Sequence, residues 1–175
     1  MANHILISGC SGGGKSTLVA SLKARGHRVV EEPGRRVIAA QKVSGGNALP
    51  WTSMIAFLRE THALAQKDLA WATQTDERVF FDRGLIDVAV ALEYYAGAPV
   101  SRTIGADRPY HRKVIMAPPW PEIYRTDTDR RHGFDEAVAE HDRIQSALIQ
   151  LGYSHLILPK TSVSNRVEFV LSQLS

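Results

Sequence analysis

Apolar and polar positions along the chain fall into two alternating patterns. Five short runs are apolar almost without interruption: residues 4–8 (HILIS), 28–31 (RVVE), 78–82 (RVFFD), 113–117 (KVIMA) and 155–158 (HLIL). Their length fits strands, and the lack of a clean apolar–polar alternation fits strands covered on both faces. Between them, apolar residues recur at steps of three and four. Residues 15–25 carry Leu18, Val19 and Leu22 on one face, and 54–73 carry Ile55, Leu58, His62, Ala65 and Leu69. Residues 85–95, 134–151 and 163–174 are predicted as further helices. Strands alternating with helices predict right-handed crossovers and an α/β fold, with a five-stranded, mostly parallel sheet and helices on both faces. Two segments carry neither pattern: the Gly-rich 44–50 (SGGNALP) and 118–133 (PPWPEIYRTDTDRRHG), which is proline-rich and then charged. Long loops of the second kind are often functional, and it is predicted to form a mobile flap. With no internal repeat or linker, residues 1–175 read as one domain.

The first strand runs straight into Gly9-Cys10-Ser11-Gly12-Gly13-Gly14-Lys15-Ser16, followed by Thr17. This fits G-x-x-x-x-G-K-[ST] in its required setting, after a strand and before a helix. The glycines let the backbone turn its N–H groups around a β-phosphate, and the helix N-terminus favours the anion. Gly9, Ser11, Gly12, Gly13, Gly14, Lys15, Ser16 and Thr17 are therefore the candidate nucleotide-binding residues. Lys15 is expected to reach the β- and γ-phosphates, and the Ser16 hydroxyl to bind Mg²⁺. The pattern predicts a three-layer P-loop NTPase fold. Cys10 stands at a variable position, where a small residue is tolerated.

The third strand ends in Asp82, where P-loop proteins place an acid near Mg²⁺. The next residue is Arg83, whereas a motor-type ATPase usually has glutamate there to activate water. The pair therefore favours transfer to a bound acceptor, whose hydroxyl Asp82 would orient or deprotonate, with Arg83 holding the acceptor's anionic group or the transferring phosphate. A turn with a surface ion pair is the plainer alternative. Glu31-Glu32-Pro33-Gly34-Arg35-Arg36 closes the second strand at the same edge. Glu32, spaced for pairing with Arg35, is a rival base, or the acidic start of a helix. Arg125, Arg130 and Arg131 in the flap are candidates to close over the triphosphate and exclude water.

Composition narrows the reading. Apolar residues make up 44% of the 175 and charged residues 22%, near the globular average. A net charge of +3 is too small to argue for nucleic acid, and the basic excess within 101–132 suits a phosphate-rich ligand equally well. One cysteine excludes an intrachain disulfide framework and fits a reducing cytoplasm. No run is long and apolar enough for a membrane span, and the N-terminus lacks a signal-peptide pattern. The histidines lack metal-site spacing, which leaves Mg²⁺ with the nucleotide as the one metal implied.

Across nearly its whole length the chain resembles the small single-domain P-loop proteins of an AAA-type ATPase family. It is similar to the nucleoside- and nucleotide-kinase branch, including the ribosylnicotinamide kinase domain of bacterial NAD regulators. The matching pieces are GCSGGGKST (9–17), VVEEPGRRVI (29–38), FFDRG (80–84), WPEIYRTDTDRR (120–131) and LGYSHLILPKTSVSNRVEFVL (151–171). The resemblance implies an acceptor-side acid at Glu32 with Arg35, a strand-end acid at Asp82 with Arg83, and flap arginines at Arg125, Arg130 and Arg131. It implies no AAA+ machine: no sensor segment or helical lid domain is evident in the sequence.

Residues 159–163 (PKTSV) lack the aspartate with which GTPases read guanine, so ATP is the expected nucleotide. The base pocket is expected near these residues. Trp51, Met54, Phe57, Leu58, His62, Tyr94 and Tyr95 are candidate acceptor-pocket walls. At helical spacing, however, such residues are more often core, and His62 reads as a satisfied core histidine. The leading expectation is an ATP-dependent kinase acting on a small phosphate acceptor. An ATP-binding regulatory module with slow hydrolysis is the alternative, and a nucleic-acid end kinase comes third. The sequence leaves monomer and homo-oligomer both open.

Overall fold

The computed structural model describes residues 3–105, 108–125 and 133–174. Five strands form one parallel sheet: β1 (His4–Gly9), β2 (Arg28–Val30), β3 (Val79–Asp82), β4 (Lys113–Ala117) and β5 (Ser154–Ile157), in the order β2-β3-β1-β4-β5. All four pairings are parallel, with His4 opposite Val79 and Ile7 opposite both Asp82 and Ile115. The helices are α1 (Lys15–Ala24), α2 (Pro33–Ser44), α3 (Met54–Ala72), α4 (Leu85–Ala96), α5 (Val100–Ile104), α6 (Phe134–Gln150) and α7 (Val163–Gln173).

The period-2 geometry of a strand sorts the apolar runs onto two faces. Leu6, Val79, Phe81, Val114 and Met116 point into a core shared with α3, α4 and α6. Ile5, Ile7, Phe80, Ile115 and Ala117 point the other way, onto α1 and α7. Each face is apolar because each is covered, hence the unbroken runs. Full burial of a side chain such as Phe80 or Phe81 stabilises the fold by about 1.5–3 kcal/mol. The edge strand β5 is the exception, with Ile157 half-exposed.

The five strands and the five predicted helices lie within a residue or two of the predicted positions, and α2 and α5 are two further helices that the pattern does not predict. Residues 31–36 do not extend β2; they carry the chain into α2. Glu32 is the N-cap residue of α2 and Pro33 occupies its first turn, a position where the missing proline N–H costs nothing. The Gly-rich segment 45–50 is a loop that leads to α3. In 118–133, a short 3₁₀ turn covers Pro121–Ile123, and 126–132 lie outside the described residues.

This topology positions the site. The two neighbours of β1, β3 and β4, lie on its opposite sides, so the chain switches direction at its carboxyl end and a crevice opens there.

Candidate active site

The phosphate loop lies at that crevice. Gly9 ends β1 at φ 105°, and a Cβ there would stand 2.4 Å from the Ala117 carbonyl oxygen of β4. Only glycine accommodates both the left-handed backbone and this approach. Gly14, at φ 77°, is the N-cap of α1 and provides no side-chain cap, so the first-turn N–H groups of α1 face an anion site. Lys15 is 5% exposed and folds across the loop, donating to the carbonyls of Cys10 (2.8 Å) and Gly9 (3.3 Å). Burial, reinforced by Arg83, holds its pKa below the usual lysine value against the opposing pull of Asp82, Glu32 and Glu140.

Asp82 is 2% exposed, and its Oδ1 has no hydrogen-bond partner among the described residues. Burial and then the charge of Glu32 push its pKa up, while Lys15, the adjacent Ser16 hydroxyl and Arg83 pull it down; the net direction is up. An orphaned carboxylate oxygen beside a serine hydroxyl fits a hard cation that takes most of its ligands from phosphate and water. Ser16 and Asp82 are thus the residues that would hold Mg²⁺. Among the described residues no cluster of three or more His, Cys, Asp or Glu forms a metal site of another kind.

Arg83 is the non-glycine described residue with positive φ, at 59°. Such a conformation costs of order 1–3 kcal/mol and persists only where the surroundings enforce it. Here the surroundings are carboxylates. Arg83 Nη1 lies 3.1 Å from Asp87 Oδ1 and 3.0 Å from Glu140 Oε1, and Nε lies 3.7 Å from Glu32 Oε1. Burial opposes the guanidinium charge, but Glu140, Asp87, Glu32 and Asp82 together raise its pKa above the usual arginine value. Asp87 is also fixed from behind: it accepts from the Ser8 hydroxyl (2.6 Å) and, at the N-terminus of α4, from the Gly84 N–H (3.0 Å). Arg83 is therefore committed to holding carboxylates in place. An anionic acceptor group would have to compete with three of them. Arg35 likewise pairs with Glu32 (3.5 Å), an acid and base on one helical turn.

A cleft of about 790 Å³ runs along the carboxyl edge of the sheet over these groups. Ser11, Gly12, Gly14, Lys15, Ser16 and Thr17 line its middle. At one end stand Glu32, Arg35, Arg83, Asp87 and Glu140, with Trp51, Met54, Phe57, Leu58, Tyr94 and Tyr95 as apolar walls. These aromatic and Met residues, weighed from sequence as core, face the cleft, and Tyr94 is 53% exposed. His62 does not line it, and the expectation of a satisfied core histidine fails: its Nε2 is buried without a partner among the described residues. At the other end stand Thr161, Ser162 and Val163 with Trp120, Ile123 and Arg166. Arg125 lies off the cleft lining, exposed and donating to the Tyr124 carbonyl (2.7 Å). Arg130 and Arg131 lie outside the described residues.

Asp87, Glu140 and Arg166 are site residues that sequence reasoning missed. Asp87 had a readable signal, a carboxylate one helical turn after Arg83. Arg166 had another, a cation beside the apolar stripe of Val163, Val167 and Val170. Glu140 had none, because it meets Arg83 only through packing of α6 beside α4.

The fold and the phosphate loop agree with what the chain resembles. Deoxyadenosine kinase from M. mycoides with bound dATP superposes with a TM-score of 0.71 and 15% identity, over 98% of this chain and 98% of that one. A NadR protein in complex with NR gives 0.69 and 16%, covering 99% of this chain and 50% of that one. Shikimate kinase from Acinetobacter baumannii in complex with shikimate gives 0.59 and 10%, over 99% and 93%. At such identities the likeness is one of fold: an α/β P-loop fold of the kind found in these kinases. No curated protein matches the chain. A family model described as an AAA domain (AAA_28) does match residues 4–166, nearly the whole molecule, and the chain belongs to that family.

Proposed function

We propose that this protein is a kinase that transfers the γ-phosphate of ATP to a hydroxyl of a small, nucleoside-like acceptor. One observation carries the reading: the phosphate loop opens into the same cleft as a compartment with apolar aromatic walls and a floor of fixed carboxylates. Such a compartment suits a ring-bearing, hydroxylated molecule. Its acidic groups make it a poor groove for the backbone of a nucleic acid, which demotes an end kinase.

Exposure supports a division of labour between the two rival bases. Asp82 is enclosed beside Ser16, off the cleft lining, and suits the metal role. The Glu32 side chain is 25% exposed, lines the cleft and is steadied by Arg35 and Arg83, which suits a base that meets an acceptor. In this reading the acceptor hydroxyl gives its proton to Glu32 as its oxygen bonds to the γ-phosphorus and the bond to ADP breaks. Lys15 and the loop N–H groups carry charge that moves onto the phosphate oxygens. Mg²⁺, when bound, would neutralise charge on the β- and γ-phosphates.

The test is ATP consumption by the purified protein with Mg²⁺, alone and with a panel of nucleosides, nucleotides and small phosphate acceptors. Strong stimulation by one compound, with a phosphorylated product, is expected. ATP binding with no stimulation across the panel would favour a regulatory module.

A further inference from the structure

Helix α7 buries Val167 and Val170 in the core it shares with α1, yet the residue beside them, Arg166, is also only 2% exposed. Two of its guanidinium nitrogens donate to the phosphate loop, Nη2 to the Gly13 carbonyl (2.9 Å) and Nη1 to the Gly14 carbonyl (3.4 Å). The guanidinium carbon lies 5.6 Å from the centre of the Trp120 ring. Nε is buried with no hydrogen-bond partner among the described residues. Burial moves the pKa of this group downward, and no carboxylate among the described residues offsets it.

The contrast with Arg83 is informative. Both guanidiniums are buried at the edge of one cleft, but Arg83 is ringed by Glu32, Asp87 and Glu140. Among the described residues, Arg166 has two carbonyl dipoles and an aromatic face. A buried cation without an opposite charge is unfavourable, because it gives up hydration that neutral partners only partly replace. Arg166 also lines the cleft at the end formed by Trp120 and residues 161–163, beside the first turn of α1.

We propose that Arg166 is a second cation of the phosphate site, for which the nucleotide's phosphates are the missing counter-charge, with Trp120 backing the guanidinium at the base end of the cleft. The inference rests on the nucleotide-binding part of the proposed function and is independent of the acceptor. It puts a second arginine beside the phosphate loop on the last helix of the core, a place in the fold distinct from the flap. The two loop contacts add a positioning role: with the Gly13 and Gly14 carbonyls held by α7, the loop is braced where its amides face the ligand.

Two substitutions separate charge from bracing. Arg166→Gln keeps a donor for the Gly13 carbonyl and removes the charge; Arg166→Lys keeps the charge. Binding of ATP with Mg²⁺ is measured by calorimetric titration, with circular dichroism to verify folding. The expected result is an ATP affinity at least about tenfold weaker in Arg166→Gln, and within about threefold of the unsubstituted protein in Arg166→Lys. ATP binding by Arg166→Gln within about twofold of the unsubstituted protein, or by Arg166→Lys as weakly as by Arg166→Gln, would overturn the proposal. Should Arg166→Gln fail to fold, Arg166→Lys decides alone, since affinity lost with the charge retained contradicts the counter-charge role. An unsubstituted protein that binds no nucleoside triphosphate would instead overturn the nucleotide reading itself, and this inference with it.

Discussion

At the scale of the residue, the site separates groups that identical side-chain chemistry would confuse. Asp82 and Glu32 are both carboxylates near Lys15, but one is enclosed at a strand end and the other stands on a helix N-cap facing the cleft. Glu32→Gln is expected to lower the transfer rate by about 10²–10⁴-fold with ATP affinity retained, as loss of a general base does. Asp82→Asn is expected to raise the Mg²⁺ concentration needed for half-maximal rate. Steady-state rates against ATP and Mg²⁺ separate the two, and an unchanged Mg²⁺ requirement in Asp82→Asn would remove its metal role. Lys15→Met should abolish ATP turnover while the far-ultraviolet spectrum stays unchanged.

Asp82 also sets a pH dependence. A carboxyl whose folded pKa lies above its unfolded value favours folding while protonated and loses that contribution as pH rises through the folded pKa. Asp82 starts from 3.8 and is raised by burial and by Glu32. The ligand-free protein is therefore expected to lose its Asp82 contribution progressively above that value. The neutral variant Asp82→Asn should melt higher than the unsubstituted protein near pH 7, and the difference should shrink toward about pH 4. A difference independent of pH would show that Asp82 ionises in the folded state as it does in the unfolded chain. The residues legible from sequence were those in local patterns: the loop 9–17, Asp82 and Glu32 with Arg35. Asp87 and Arg166 required a question the pattern did not force, namely what a charged residue does on an otherwise apolar face.

At the scale of the element, strand and helix assignments came from periodicity and were accurate where a single face or a full double covering decided the pattern. Helix α2 was obscured because its first turn is Pro33-Gly34, residues that read as a break, although proline favours the first helical turn. Its consequence is positional: the start of α2 carries Glu32 to the cleft. The junction of β1 with the phosphate loop depends on close backbone approach. Gly9→Ala would put a methyl group 2.4 Å from the Ala117 carbonyl oxygen in a left-handed conformation. A loss of about 1–3 kcal/mol in urea unfolding is expected from the backbone term alone, more if β4 cannot yield. Wild-type stability in that variant would mean the junction relaxes freely.

At the scale of the whole molecule, the sheet order brings into one cleft residues far apart in sequence: the loop after β1, the start of α2, the end of β3, and faces of α4, α6 and α7. That convergence explains which part of the site was hidden. Glu140 and Arg83 are 57 positions apart and meet only because α6 packs beside α4. Similarly, Phe57 and Tyr94 look like core by spacing and become cleft walls only once α3 and α4 are seen side by side. No described helix is long and apolar enough to cross a membrane.

The central claim is that one cleft holds both a nucleotide and the molecule that receives its phosphate. It is tested most directly by following the label of γ-labelled ATP with Mg²⁺ and the acceptor panel, in the unsubstituted protein and in Glu32→Gln. The account predicts label on a small acceptor in the first and a strongly reduced yield in the second. Label released only as inorganic phosphate, at a rate that no acceptor and no change at Glu32 alters, would contradict it.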